Sequence, residues 1–342
     1  MNKPAPPITR QHRLPPVLRG LRIPVVASPM FIISNPDLVI AQCKAGIIGS
    51  FPALNARDEA GGPVVLEQWL KRITEELDRH NQANPDRPAA PFAVNQIVHR
   101  SNGRLDRDVE ICARWKVPIW ITSLGARVEV NEAAHSCGGI ALHDIINNRF
   151  ARKAIEKGAD GLIAVAAGAG GHAGPINPLA LVGEIREWFD GPLLLSGAIS
   201  TGRAVLAARA MGADLAYVGS PFIATEEANA VADYKRMIVE GGADDIVTSS
   251  IFTGVSGNYL KPSIARTGLD PDNLPQAQTD MSFADSDSAK PKAWKEVWGS
   301  GQGIGAVRDV VPAAALVDRL AREYAAAKIE LAAELAAEQS TG

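Results

Sequence analysis

Long apolar runs are missing from this 342-residue chain. No stretch approaches the roughly 18 consecutive apolar residues of a membrane-spanning helix. The opening, MNKPAPPITRQHRLPP, sets prolines where a signal peptide needs an apolar helix. Cysteine is scarce as well. Cys43, Cys112 and Cys137 lie far apart with no C-x-x-C pair, which argues against a disulfide framework or a cysteine zinc site, and no metal is expected. No block of basic residues occurs and the net charge is −3, which argues against a nucleic-acid partner. The expectation is a soluble, cytoplasmic protein with neither nucleic acid nor membrane as partner.

What the chain has is a rhythm. Eight short apolar runs recur: IPVVAS (23–28), GIIGSF (46–51), PFAVNQIV (91–98), VPIWITSL (117–124), GGIALHDII (138–146), DGLIAVAA (160–167), PLLLSG (192–197) and DLAYVGS (214–220). Near-continuous apolar strands signal a parallel sheet covered on both faces. Helical patterns such as NRFARKAIEKGA, PLALVGEIREWF and GRAVLAARAMGA lie between them, two of them ending in Gly-Ala-Asp. Glycine there sits where a helix C-terminus wants it. The spacing predicts a (β/α)8 TIM barrel over residues 1–225. A doubly wound open sheet is the alternative, but no G-x-G-x-x-G opens the first βα turn. After Thr225 the rhythm breaks, and residues 226–300 read as a smaller, mainly helical second domain ending in the polar stretch TDMSFADSDSAK and its sequel. Residues 301–342 read as a glycine-rich loop and a C-terminal helix that packs back on the barrel through Leu316, Leu320, Tyr324, Ala327, Leu331 and Leu335.

In such a barrel the chemistry sits at the C-terminal ends of the strands. Those ends read Ser28-Pro-Met, Ser50-Phe, Asn95-Gln, Ser123, His143-Asp144, the loop AAGAGGHAG (166–174), Ser196-Gly-Ala and Gly219-Ser220. Small residues after the seventh and eighth strands, followed by a helix start, suit a phosphate group. Tight packing alone is the competing explanation. His172 stands beside these loops among glycines that let a flat ring approach the backbone, although a surface or capping histidine is the plainer reading. His143 and Asp144 alternate, so only one of them lines the site. A non-flavin barrel for a phosphorylated metabolite would call for a lysine or paired carboxylates at strand ends, and the sequence offers neither.

Taken together, PVVASPM, PFAVNQ, AGAGGHAG, LLLSGAISTGRAV, ADLAYVGSPFIAT and the late SGQGIG resemble the nitronate monooxygenase family, formerly called 2-nitropropane dioxygenases, over about residues 20–310. The resemblance implies FMN as cofactor, a small-molecule substrate (a nitronate or similar anion), O2 as oxidant, and a carbonyl compound and nitrite as products. It puts Pro29 and Met30, just after Ser28, by the flavin ring, with Asn95 hydrogen-bonded to the ring. Gly170 and Gly171 would border the isoalloxazine, and Ser196, Gly197, Ala198, Gly219 and Ser220 would bind the phosphate. Asp144 is counted with the cofactor-binding residues, and His172 is the catalytic base or the group that polarises the substrate. Some relatives carry a lysine at the end of strand five, where this chain has His143-Asp144, and some an acidic residue at the start of the sixth loop, where it reads Val165-Ala-Ala. Others sharing the motifs are FMN-dependent reductases of quinones and enoyl thioesters, so use of NAD(P)H stays open here, as does a homodimer.

Overall fold

The computed structural model describes residues 14–58, 64–275 and 294–341; His12 and TDMSFADSDSAK lie outside them. All eight apolar runs form strands. They are β1 (Val25–Ala27), β2 (Gly49–Pro52), β3 (Phe92–Ile97), β4 (Ile119–Ser123), β5 (Ile140–Ile145), β6 (Gly161–Val165), β8 (Leu193–Ser196) and β9 (Leu215–Val218), with a two-residue β7 (Gly171–His172) between β6 and β8. The eight long strands make one parallel sheet, ordered β1-β9-β8-β6-β5-β4-β3-β2. A parallel bridge from Val26 to Ile48 joins the two edges and closes the barrel.

Each barrel strand leads into a helix: α1 (Pro36–Lys44), α2 (Val65–Ala83), α3 (Leu105–Arg114), α4 (Val128–Ser136), α5 (Asn148–Glu156), α6 (Pro178–Arg186), α7 (Gly202–Met211) and the single turn α8 (Ser220–Ile223). Local chemistry sets many of these ends. The side chains of Asn35, Asn147, Asn177 and Thr201 accept hydrogen bonds from the first turns of α1, α5, α6 and α7. Gly158 and Gly212 follow α5 and α7 with φ of 88° and 120°, conformations that favour glycine. Among the described residues no helix is long and apolar enough to cross a membrane.

Beyond the barrel come α9 (Ala232–Glu240), β10 (Ile246–Ser249), β11 (Gly257–Leu260), α10 (Lys261–Ala265) and α11 (Ala313–Thr341). The helical pattern of this region is thus joined by an antiparallel hairpin. β11 also pairs with β7, setting Gly257 opposite His172 and Asn258 opposite Gly171. The start of α11 docks on the barrel: Leu316, Leu320, Tyr324 and Ala327 are buried. Leu331 and Leu335, expected on the same docked face, are 43% and 51% exposed. The reason is length. At 1.5 Å per residue α11 runs about 44 Å, while α7, against which it lies, runs about 15 Å.

Candidate active site

Alternation along the strands builds the barrel interior. Val26, Ile48, Ala93, Ile121, Leu142, Ile163, Leu194 and Leu215 form an apolar layer, with Leu14 and Leu18 in the same buried cluster. Two residues further on, the same inward face carries Ser28, Ser50, Asn95, Ser123, Asp144, Val165, Ser196 and Tyr217. A polar layer therefore caps the apolar one at the strands' C-terminal ends. Backbone strain gathers at the same mouth. Ile32, Leu124, Ala198 and Trp294 take φ of 68°, 60°, 53° and 67°, and a side chain in that region costs energy that the surroundings must offset. At Ile32 the restraint is visible: Asn55 accepts from the Ile32 N–H and donates to the Met30 and Ser34 carbonyls.

The alternation between His143 and Asp144 is decided by register. Leu142 points inward, so Asp144 does too, and the Ser123 hydroxyl donates to its Oδ2 at 2.6 Å. His143 turns out of the barrel, its Nδ1 2.5 Å from Thr122 Oγ1. Asn95 donates through Nδ2 to the Ile121 carbonyl and to Ser123 Oγ, at 3.2 and 2.8 Å. Burial pushes the Asp144 carboxyl up to about 7, with the Ser123 hydrogen bond pulling the other way. Asp144 Oδ1 and the Tyr217 hydroxyl are sealed from solvent without a hydrogen-bond partner in the protein. Buried polar atoms are rarely left so, and orphans at a barrel mouth point to a ligand.

The small-residue loops converge as well. Ser28 N–H donates to the Val218 carbonyl, and a Cβ on Gly219 would stand 3.4 Å from Ser28 Cβ and 3.8 Å from Met30 Sδ. Pro29 follows in the same loop. Ala198 N–H and Gln302 N–H both donate to the Gly168 carbonyl, and Ser220 Oγ accepts from Gly301 N–H. The late SGQGIG segment is therefore part of the mouth, with Ser300 Oγ another buried atom lacking a partner. Two expectations change in detail. The space beside Gly170 is taken by the Ser300–Gly301 backbone and that beside Gly171 by the Trp294 ring, so packing within the protein already demands both glycines. The first turn of α7, expected to meet a phosphate, faces α11 instead: Glu323 accepts from Gly202 N–H at 2.7 Å.

His172 sits at the mouth on β7, tied to the segment beyond the barrel. Its Nε2 lies 3.0 Å from Thr253 Oγ1, and the Trp294 ring meets it edge-on with centroids 5.4 Å apart. Thr253 donates its own proton to the Val255 carbonyl. Thr253 thus engages Nε2, and Nδ1 is the ring nitrogen left to face a ligand. Burial pushes the imidazole down to about 4, so it is neutral near pH 7. Thr253, Trp294, Tyr217 and Asn258 escape motif reading. Asn258 donates to the Ala169 carbonyl and pins the glycine loop to the hairpin. Only Tyr217 carries a signal, its inward place in the strand alternation.

The chain matches the family model described as Nitronate monooxygenase over residues 17–323. It belongs to the nitronate monooxygenase family. A nitronate monooxygenase of Paraburkholderia phytofirmans is 25% identical over 360 residues, covering 92% of this chain and 95% of that relative. Two proteins named (3aS,4S,5R,7aS)-5-hydroxy-7a-methyl-1-oxo-octahydro-1H-indene-4-carboxyl-CoA dehydrogenase, from Rhodococcus jostii and Mycobacterium tuberculosis, are 24% and 25% identical. The matches span 66% and 65% of their lengths. Among solved structures, FabK of Thermotoga maritima superposes with a TM-score of 0.74 at 21% identity, covering 93% of this chain and 97% of that one. The nitroalkane oxidase of Streptomyces ansochromogenes gives 0.70 at 24%, covering 90% and 97%. At these identities the structural likeness is one of fold, and it agrees with the TIM barrel of this nitronate monooxygenase family member.

Proposed function

We propose that the chain is an FMN-dependent oxidoreductase that oxidises alkyl nitronates with O2 to a carbonyl compound and nitrite. The observation that carries this reading is the mouth itself, where a polar layer with orphaned buried atoms meets glycine-rich turns and a buried, neutral histidine. These parts fit a flat, polar-edged ring with a phosphate tail. Ser196, Gly197, Ala198, Gly219 and Ser220 hold the phosphate end; Ser28, Pro29, Met30, Asn95 and Asp144 surround the ring, with Gly170 and Gly171 along its border. FMN supplies the electron transfer that protein side chains cannot. The barrel's apolar layer excludes water from below. His172 meets the substrate as a neutral ring. Toward a nitronate it polarises the nitro group. Toward a neutral nitroalkane its free Nδ1 takes the proton from carbon.

The relatives named dehydrogenase and the resemblance to FabK favour a second reading, an NAD(P)H-dependent FMN reductase acting on quinones or enoyl thioesters. One experiment separates the two. The purified protein, yellow and releasing FMN rather than FAD on heating, is mixed anaerobically with propionate 3-nitronate and separately with NADH. Bleaching by the nitronate and not by NADH supports the first reading. Bleaching by NADH alone supports the second, and a colourless protein that cannot be reconstituted with FMN overturns both.

A further inference from the structure

The hydrogen bonds at the barrel mouth have a direction. Asn95 Nδ2 faces the Ile121 carbonyl, which only accepts, so that atom is the amide nitrogen and it donates to Ser123 Oγ. The Ser123 hydroxyl in turn donates to Asp144 Oδ2. Oδ1 is the sealed oxygen without a partner, and across the lumen the Tyr217 hydroxyl from β9 is sealed and unpartnered too. The two groups sense each other, since a charge on Asp144 helps raise the already buried phenol further above its ordinary value.

Among the described residues, no cation packed against Asp144 offsets its ionised form. On β4 and β6, the strands beside β5, no side chain is cationic. The charged groups of the helices packed outside it, Glu129, Glu132 and His135 on α4 and Arg149, Arg152, Lys153 and Glu156 on α5, are exposed on the solvent side. His143 faces away and His172 is neutral near pH 7. Burial without a cation favours the uncharged acid, and it holds the carboxyl at about 7.

We propose that Asp144 works as the neutral acid, donating its carboxyl proton to an acceptor on the polar edge of the bound isoalloxazine, with Tyr217 walling the other side of that slot. This deepens the flavin reading and rests on it. The consequence is a pH-dependent hold on the cofactor: FMN binds the protonated form best, and affinity falls as pH rises through the carboxyl's titration, by up to about tenfold per pH unit.

The test has a readout that needs no flavin. Infrared difference spectra of the wild-type protein against Asp144→Asn at pH 6 are expected to show one protonated carboxyl band that the variant lacks. FMN dissociation constants, measured by fluorescence quenching from pH 6 to 9, are expected to rise in the wild type and stay flat in Asp144→Asn, whose amide donates at every pH. Ser123→Ala removes a donor that stabilises the carboxylate, so the rise should begin at higher pH. Flavin-bound protein without the band, a flat wild-type profile, a slope that survives Asp144→Asn, or an unmoved onset in Ser123→Ala each overturns the proposal. Protein that shows the band and binds no FMN at any pH overturns the flavin reading, and this role of the proton with it.

Discussion

Replacing His172 by Asn separates proton removal from polarisation. The ring is lowered by burial from 6.5 to about 4. That corresponds to about 3 kcal/mol against charging it where it sits. A histidine with a lowered value is neutral over the whole range above it. Any acid limb owed to His172 in kcat/KM should therefore lie near pH 4, not near 6.5. If Nδ1 takes a proton from carbon, its loss costs the usual contribution of a general base, about 10²–10⁴-fold or roughly 3–5 kcal/mol. His172→Asn is expected to lose that much with a neutral nitroalkane. With the pre-ionised nitronate of the same compound the proton is already gone, and the loss should stay within about tenfold while FMN remains bound. Oxygen consumption measured on both ionisation states, for both proteins, is the assay. Equal losses on the two forms would refute proton removal. A wild-type limb near pH 6.5 that disappears in the variant would refute the burial argument. Release of FMN from the variant would make the residue structural.

Gly219→Leu should fold normally and lose FMN, because a Cβ there meets Ser28 and Met30 at ordinary contact distances while a longer chain enters the proposed cofactor site; unchanged flavin content in a correctly folded variant would contradict the assignment. Gly202→Ala should lower stability by about 1–3 kcal/mol, since its Cβ would fall 2.2 Å from the Leu320 carbonyl and the Tyr324 nitrogen of α11. Gly183→Ala, with nothing within 4 Å in the middle of α6, should gain about 0.5–1 kcal/mol instead. Thermal or denaturant unfolding of the pair checks the sign of both, and a neutral Gly202→Ala would mean that α11 is loosely docked.

Much of the barrel was legible because its signals are local. Each strand is an apolar run a few residues long, and Asn, Thr and Gly mark helix ends within one turn of where they act. The strand ends, and with them Asn95, Asp144, His172 and Gly219, could be named once the eight-fold rhythm was seen. The failures are all matters of distance or direction. That β11 pairs with the GGH loop, and that Thr253 reaches His172 from 81 residues away, depends on which segments the closed barrel brings together. The first turn of α7 carries an anion-binding pattern, but Glu323 of the C-terminal helix arrives there first. Whether His143 or Asp144 lines the barrel is a question of strand register, which no periodicity in a six-residue strand settles. The sequence alone determined the alternation of short buried strands with capped helices, since hydrophobic period and capping chemistry act between near neighbours. Only the tertiary structure decided which polar groups face each other at the mouth and in what protonation state, since desolvation and hydrogen-bond direction exist only after the strands have closed around them.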